Sequence, residues 1–178
     1  MAIDEIDVLY DMAQRVLDET VSSFEELDLS LPKRRYVAIG GVEDVAHDCE
    51  QLTVTIEQHY PGTPVEQAEV GATCESPRTV AMSVELVRCV PNMQSKGGRG
   101  GVAKAPPSPE MMNEYAKTRA RDMLVLLDVG ATVSDKFFSD NGVAGGINIG
   151  GMFDVSPGAP SGNMQGVILN LVVILPTW

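Results

Sequence analysis

From Thr79 to Cys89 the chain alternates strictly, with Val80, Met82, Val84 and Leu86 on one face and Ala81, Ser83, Glu85, Val87 and Cys89 on the other. A period of two held over this length makes a major β-strand. Pro91 ends it.

Two segments have the period of a helix instead. Between Ile6 and Phe24 the residues Ile6, Leu9, Met12, Ala13, Val16, Leu17, Thr20 and Phe24 recur at steps of three and four, which places them on one helical face. Asp7, Asp11, Gln14, Arg15, Asp18 and Glu19 fall largely on the other side. Leu29 to Pro32 breaks this helix, since the residue before a proline is pushed out of α conformation. The second helix starts at Ser108-Pro109-Glu110, where serine caps free amides, proline suits the first helical position and glutamate complements the dipole. It is expected to reach about Asp128, packing through Met112, Tyr115, Ala116, Met123, Leu126 and Leu127, with Lys117, Arg119, Arg121 and Asp122 mainly outside.

Further strands are expected at Arg35 to Ile39, closed by a turn at Gly40-Gly41, and at Leu52 to Glu57, where Leu52, Val54 and Ile56 alternate with Thr53, Thr55 and Glu57 as in a half-buried strand. GVAGGINIGGMF offers short or bulged strands around Ile147, Ile149 and Phe153. The near-continuous apolar run Val167 to Leu175 reads as a central strand covered on both faces. It is about half of the roughly 20 residues that a membrane helix needs. Two long loop insertions, about residues 60–77 and 92–107, separate the strands, and the second, NMQSKGGRGGVAKAPPSP, is a mobile loop rich in glycine and basic residues. The order of helix, strands, helix, strands predicts an α+β fold in which a mostly antiparallel sheet packs against two amphipathic helices. At 178 residues this is a single domain spanning 1–178, large enough to bury a core without staples.

Charge narrows the function. With 25 acidic and 13 basic residues the chain carries a net charge of -12, so it lacks the basic clusters that grip phosphate backbones. Three unevenly spaced cysteines, Cys49, Cys74 and Cys89, fit a reducing cytoplasm better than a disulfide scaffold. The acidic start MAIDEIDVLYDM is not a signal peptide.

No catalytic or cofactor signature stands out. GVAGGINIGG has neither the dinucleotide spacing nor a Walker lysine. His47, Cys49, His59, Cys74 and Cys89 are natural zinc donors but form no two-ligand knuckle, and Cys89, beside apolar strand residues, reads as a small buried thiol. A Cys/His nucleophile built from Cys49 or Cys74 with His47 or His59 carries no local signature of an activated thiol. In KGGRGGVAK, exposed glycines let Lys96, Arg99 and Lys104 reach a phosphate or an acidic protein face, though a solvated hairpin tip would look the same. Trp178 is either a cap on the core or an exposed interface anchor.

The amphipathic N-terminal helix, TVAMSVELVRCVP, SPEMMNEYAKTRARDMLVLL and GVILNLVVILPTW together resemble the tail terminator proteins of long-tailed bacteriophages. LPKRRYVAIGGVEDVAHDCEQLTVTIEQ and SPRTVAMSVELVRCVP resemble head-to-tail connector proteins of phages that infect actinobacteria. The resemblance implies a structural virion protein with no catalytic step and no cofactor. It implies a homohexameric ring at the tail-neck junction, assembled in the host cytoplasm, that caps the tail tube, stops its polymerisation and joins the tail to the head connector. The implied partners are further copies of itself, the tail tube protein below and a stopper or connector protein above, with no membrane. DNA passes through the lumen without specific binding, as suits an acidic ring. Strand addition at an open edge of the Thr79–Cys89 or Val167–Leu175 strand, or the long loops, would supply ring contacts. Another neck protein, a stopper or adaptor, or a small cytoplasmic Cys/His enzyme, are the alternative readings.

Overall fold

The computed structural model describes residues 3–40, 50–61, 78–91, 94–96, 103–139, 152–158 and 164–175. The elements run α1 (Ile3–Glu26), β1 (Arg34–Ile39), β2 (Gln51–Pro61), β3 (Arg78–Cys89), β4 (Gln94–Lys96), β5 (Ala103–Ala105), α2 (Pro109–Ser139), β6 (Met152–Pro157) and β7 (Met164–Leu175). The class is α+β: a five-stranded sheet, ordered β1-β2-β3-β7-β6, is antiparallel at every pair except β1 with β2. Both helices pack on one face. Leu52, Val54 and Ile56, Val80 to Leu86 at even positions, and Val167 to Val173 at odd positions meet Leu9, Val16 and Phe24 of α1 and Val125, Leu126, Val129 and Val133 of α2 in a single apolar cluster. α1 lies over β1 and β2, and α2 over β6 and β7.

The expected face of α1 is the buried one from Leu9 to Phe24. Thr20 is tolerated there because its hydroxyl donates to the Val16 carbonyl at 2.8 Å. The helix ends before Pro32 acts. Asp28 takes a left-handed φ of 52°, and the amides of Asp28 and Leu29 return to the carbonyls of Glu25 and Phe24, which closes the last turn. At the start of α2, Ser108 caps as expected: its Oγ accepts from the Met111 amide at 3.3 Å.

Three expectations need correction. α2 does not stop near Asp128 but runs to Ser139, because Gly130 is used as a packing surface: a Cβ there would sit 2.5 Å from the Phe153 ring. Its buried line is Asp122, Val125, Leu126, Val129 and Val133, whereas Met112, Ala116 and Leu127 are exposed. β1 and β2 pair in parallel. Finally, the two apolar patterns exchange their burial. β2 is buried on both faces from Gln51 to Ile56, including Thr53 and Thr55. β7, although interior, keeps Ile168, Val172 and Ile174 only half-buried on the face away from the helices.

A bulge in β2 between Ile56 and Gln58 shifts its register and brings His59 opposite Val80, onto the helix-facing side. Of the long insertions, β2 claims residues 60 and 61, while 62–77 lie outside the described residues; within the second, β4 and β5 pair as a two-stranded hairpin where a mobile loop is expected. Ile147 and Ile149 lie outside the described residues.

Gly130 offers a direct test of the α2 packing. Alanine favours a helix interior by about 1 kcal/mol over glycine, yet G130A is expected to lower the melting temperature, because the Phe153 ring must move. In an F153A background the same change should raise it, giving a coupling of about 1 kcal/mol or more in a double-mutant cycle. Equal effects in both backgrounds would show that the ring does not constrain this position.

Candidate functional site

Arg88 is at the even, helix-facing parity of β3, one step beyond Leu86, so the strand delivers a guanidinium to the rim of the core. Asp122 occupies the buried line of α2 one turn before Val125 and Leu126. The two meet as a fork: Arg88 Nε donates to Asp122 Oδ2 at 3.1 Å and Nη2 to Oδ1 at 3.0 Å. Nη1 reaches Glu50 Oε2 at 2.9 Å, and Nη2 also donates to the Ser30 carbonyl at 2.8 Å. One buried side chain thereby joins β3, α2, the residue before β2 and the segment between α1 and β1. Glu50 has a left-handed φ of 64°, and its carbonyl accepts the Arg34 amide at 3.2 Å, so this single residue links β1 and the ion cluster.

Burial pushes the Asp122 carboxyl above the ordinary aspartate range, against the opposing pull of its Arg88 hydrogen bonds and charge; the negative Glu50 nearby adds to the rise. Burial also works against the Arg88 charge, but the hydrogen bonds and charges of Asp122 and Glu50 outweigh it and hold the guanidinium ionised. This cluster fixes geometry, tying β3 to α2, to the start of β2 and to the α1–β1 segment. It also corrects the sequence reading of Asp122 as an outward residue: aspartate on a helix normally faces water, and only the fork from Arg88 makes its burial tolerable. The one legible signal was parity, since Arg88 continues the Val80 to Leu86 face.

The sequence-predicted interface residues are only partly brought together. Lys96 ends β4 and Lys104 is central in β5, where it pairs with Ser95 while Lys96 pairs with Ala103, so the hairpin sets the two lysines one register step apart. Arg99 and Trp178 lie outside the described residues, as do His47, Cys49 and Cys74. His59 Nε2 is buried without a partner among the described residues, and no group of three or more metal-donor side chains occurs among them.

Cys89 corrects the reading of a small buried thiol. It is exposed at the end of β3 and is disulfide-bonded. Strand parity placed it beside apolar residues, but its position on the last residue of the strand puts it past the edge of the core.

The open sheet edges also differ from expectation. β3 and β7 are both interior strands, each paired on two sides, so neither has a free row of backbone groups. The edges are β1 and β6. The near-continuous apolar run of β7 pointed to a central strand, and its pairing agrees with that reading and not with an open edge.

Removing one member of the fork should strand a buried charge: R88A or D122A is expected to cost about 3–5 kcal/mol by chemical denaturation, and R88M/D122L to recover most of it. The pH dependence has a definite sign. A carboxyl whose folded pKa is raised contributes stability that is complete below its unfolded pKa and is lost as the pH rises through the folded one. Wild-type stability measured against D122N should therefore fall as pH rises from the ordinary aspartate value; a rise would show a lowered carboxyl instead. Neither a scan of protein-family models nor a comparison with curated proteins finds a match for this chain.

Proposed function

We propose that the chain is a structural protein of a phage virion, a tail terminator whose copies close into a six-membered ring at the tail-neck junction. The ring caps the tail tube, ends its growth and presents a surface to the head connector, with DNA passing through the lumen. The observation that carries this reading is that the four segments bearing the resemblance are the elements that build the core. The N-terminal helix is α1, TVAMSVELVRCVP holds most of β3, SPEMMNEYAKTRARDMLVLL opens α2 and GVILNLVVILPTW holds most of β7. β3 and β7 pair along their whole lengths, and their helix-facing residues join those of α1 and α2 in one apolar cluster.

The charge supports the same reading. A protomer at -12 gives a ring with a strongly negative field, which lets DNA slide and does not hold it. The β4–β5 hairpin carries Lys96 and Lys104, and Arg99 lies between its strands in sequence, so this arm of the chain is basic in an otherwise acidic sequence. Such an arm suits an acidic face on the connector above.

Adding the purified protein to polymerising tail-tube subunits is expected to arrest the tubes at fixed length, with six copies per capped end by native mass measurement. Tubes that keep lengthening would overturn the terminator reading, and attachment to the head connector without arrest would select a stopper or adaptor. Deleting Lys96 to Lys104 should leave the capped tubes intact and abolish head joining; unchanged joining would remove the hairpin from the account.

A further inference from the structure

Among the described residues the sheet ends at opposite sides in β1 and β6, each six residues long. We propose that they are the two halves of one contact: the β6 edge of each copy takes the β1 edge of the next, so that the sheet continues from molecule to molecule. The proposal deepens the ring reading and rests on it, naming the self-contact that would close the ring.

Strand direction is the first argument. β1 runs with β2, β2 against β3, β3 against β7 and β7 against β6, so β1 and β6 point in opposite directions. A neighbour that continues the sheet in the same orientation therefore presents β1 antiparallel to β6, the pairing with the better-aligned hydrogen bonds. The same contact repeated head to tail is heterologous, the kind that closes a ring by rotation.

Charge is the second. Two molecules that each carry -12 approach only where local charge departs from the average. β1 and the residue before it supply such a place in Lys33 and Arg35, both exposed. Charged residues on an edge restrain indiscriminate pairing, which selects a partner of opposite sign, and the β6 edge carries exposed Asp154.

The third argument is apolar surface. α2 abuts β6 where Gly130 meets Phe153. Next around the helix from Gly130, away from its buried line, Ala120, Leu124, Leu127 and Ala131 follow at steps of four, three and four, and all are exposed, Leu124 at 66%. The neighbour's α1 rides on its β1 and β2, so joining the edges carries that helix up to this stripe.

The test uses surface changes that leave the core alone. K33E/R35E disables the β1 half and L124K the flank of the β6 half; unchanged melting curves verify folding. By sedimentation, the parent should form a closed multi-copy assembly and each variant alone a single chain. An equimolar mixture of the two variants should form a two-chain complex and stop there, because it has one intact β6 side and one intact β1 side to join. A parent that sediments as a single chain, variants that assemble like the parent, or a mixture with no two-chain species would each overturn the contact. Tube capping by the parent separates the two ideas: capping with normally assembling variants rejects the edge contact alone, whereas the expected mixture with uncapped tubes rejects the terminator reading alone.

Discussion

The architecture is pinned where β3 runs out of core. Arg88 stands at the first position beyond the apolar run of its face, and from there it holds α2 through Asp122, the start of β2 through Glu50 and the α1–β1 segment through the Ser30 carbonyl. Apolar contacts alone fix how far a helix sits from a sheet but tolerate sliding along it. A forked ion pair does not, because two parallel hydrogen bonds at 3.0 and 3.1 Å fix both position and orientation. The register of α2, and with it the meeting of Gly130 and Phe153, follows from this one anchor. Buried ion pairs add little net stability over apolar residues of the same shape, so the contribution of this one is positional.

What the sequence discloses and what it hides divide along physical lines. Period was readable: the α1 face from Leu9 to Phe24, the cap at Ser108 and the even face of β3 are set by residues close together in the chain. So was the class, because the order of elements is local information. Burial of a second face was not readable. Thr53 and Thr55 look like the wet side of a half-open strand yet are fully covered, whereas the apolar β7 stays half open, since what lies over a strand is decided by distant segments. The length of α2 was missed for a related reason. Gly130 looks like a terminator, and only the aromatic ring from β6 turns it into a contact.

The candidate site was the least legible part. Lysines at 96 and 104 could be singled out by their contrast with an acidic chain, and their register within a hairpin came from the pairing of β4 with β5. Strand patterns gave conflicting signs of the edges: the apolar run marked β7 as central, yet β3 and β7 were also expected to offer an open edge, and topology decides between the two. The parallel pairing of β1 with β2 is the instructive case: it interrupts an otherwise antiparallel sheet and sets the relative direction of the two free edges.

The ladder between β3 and β7 also determines how the molecule responds to tension. Both strands have 12 residues and they pair from end to end without a bulge. Force applied along these strands loads every rung together, whereas force across the sheet opens the short outer strands rung by rung. Traction along the strand direction would thus meet a stiff spine in the middle of the molecule and compliant margins on either side of it.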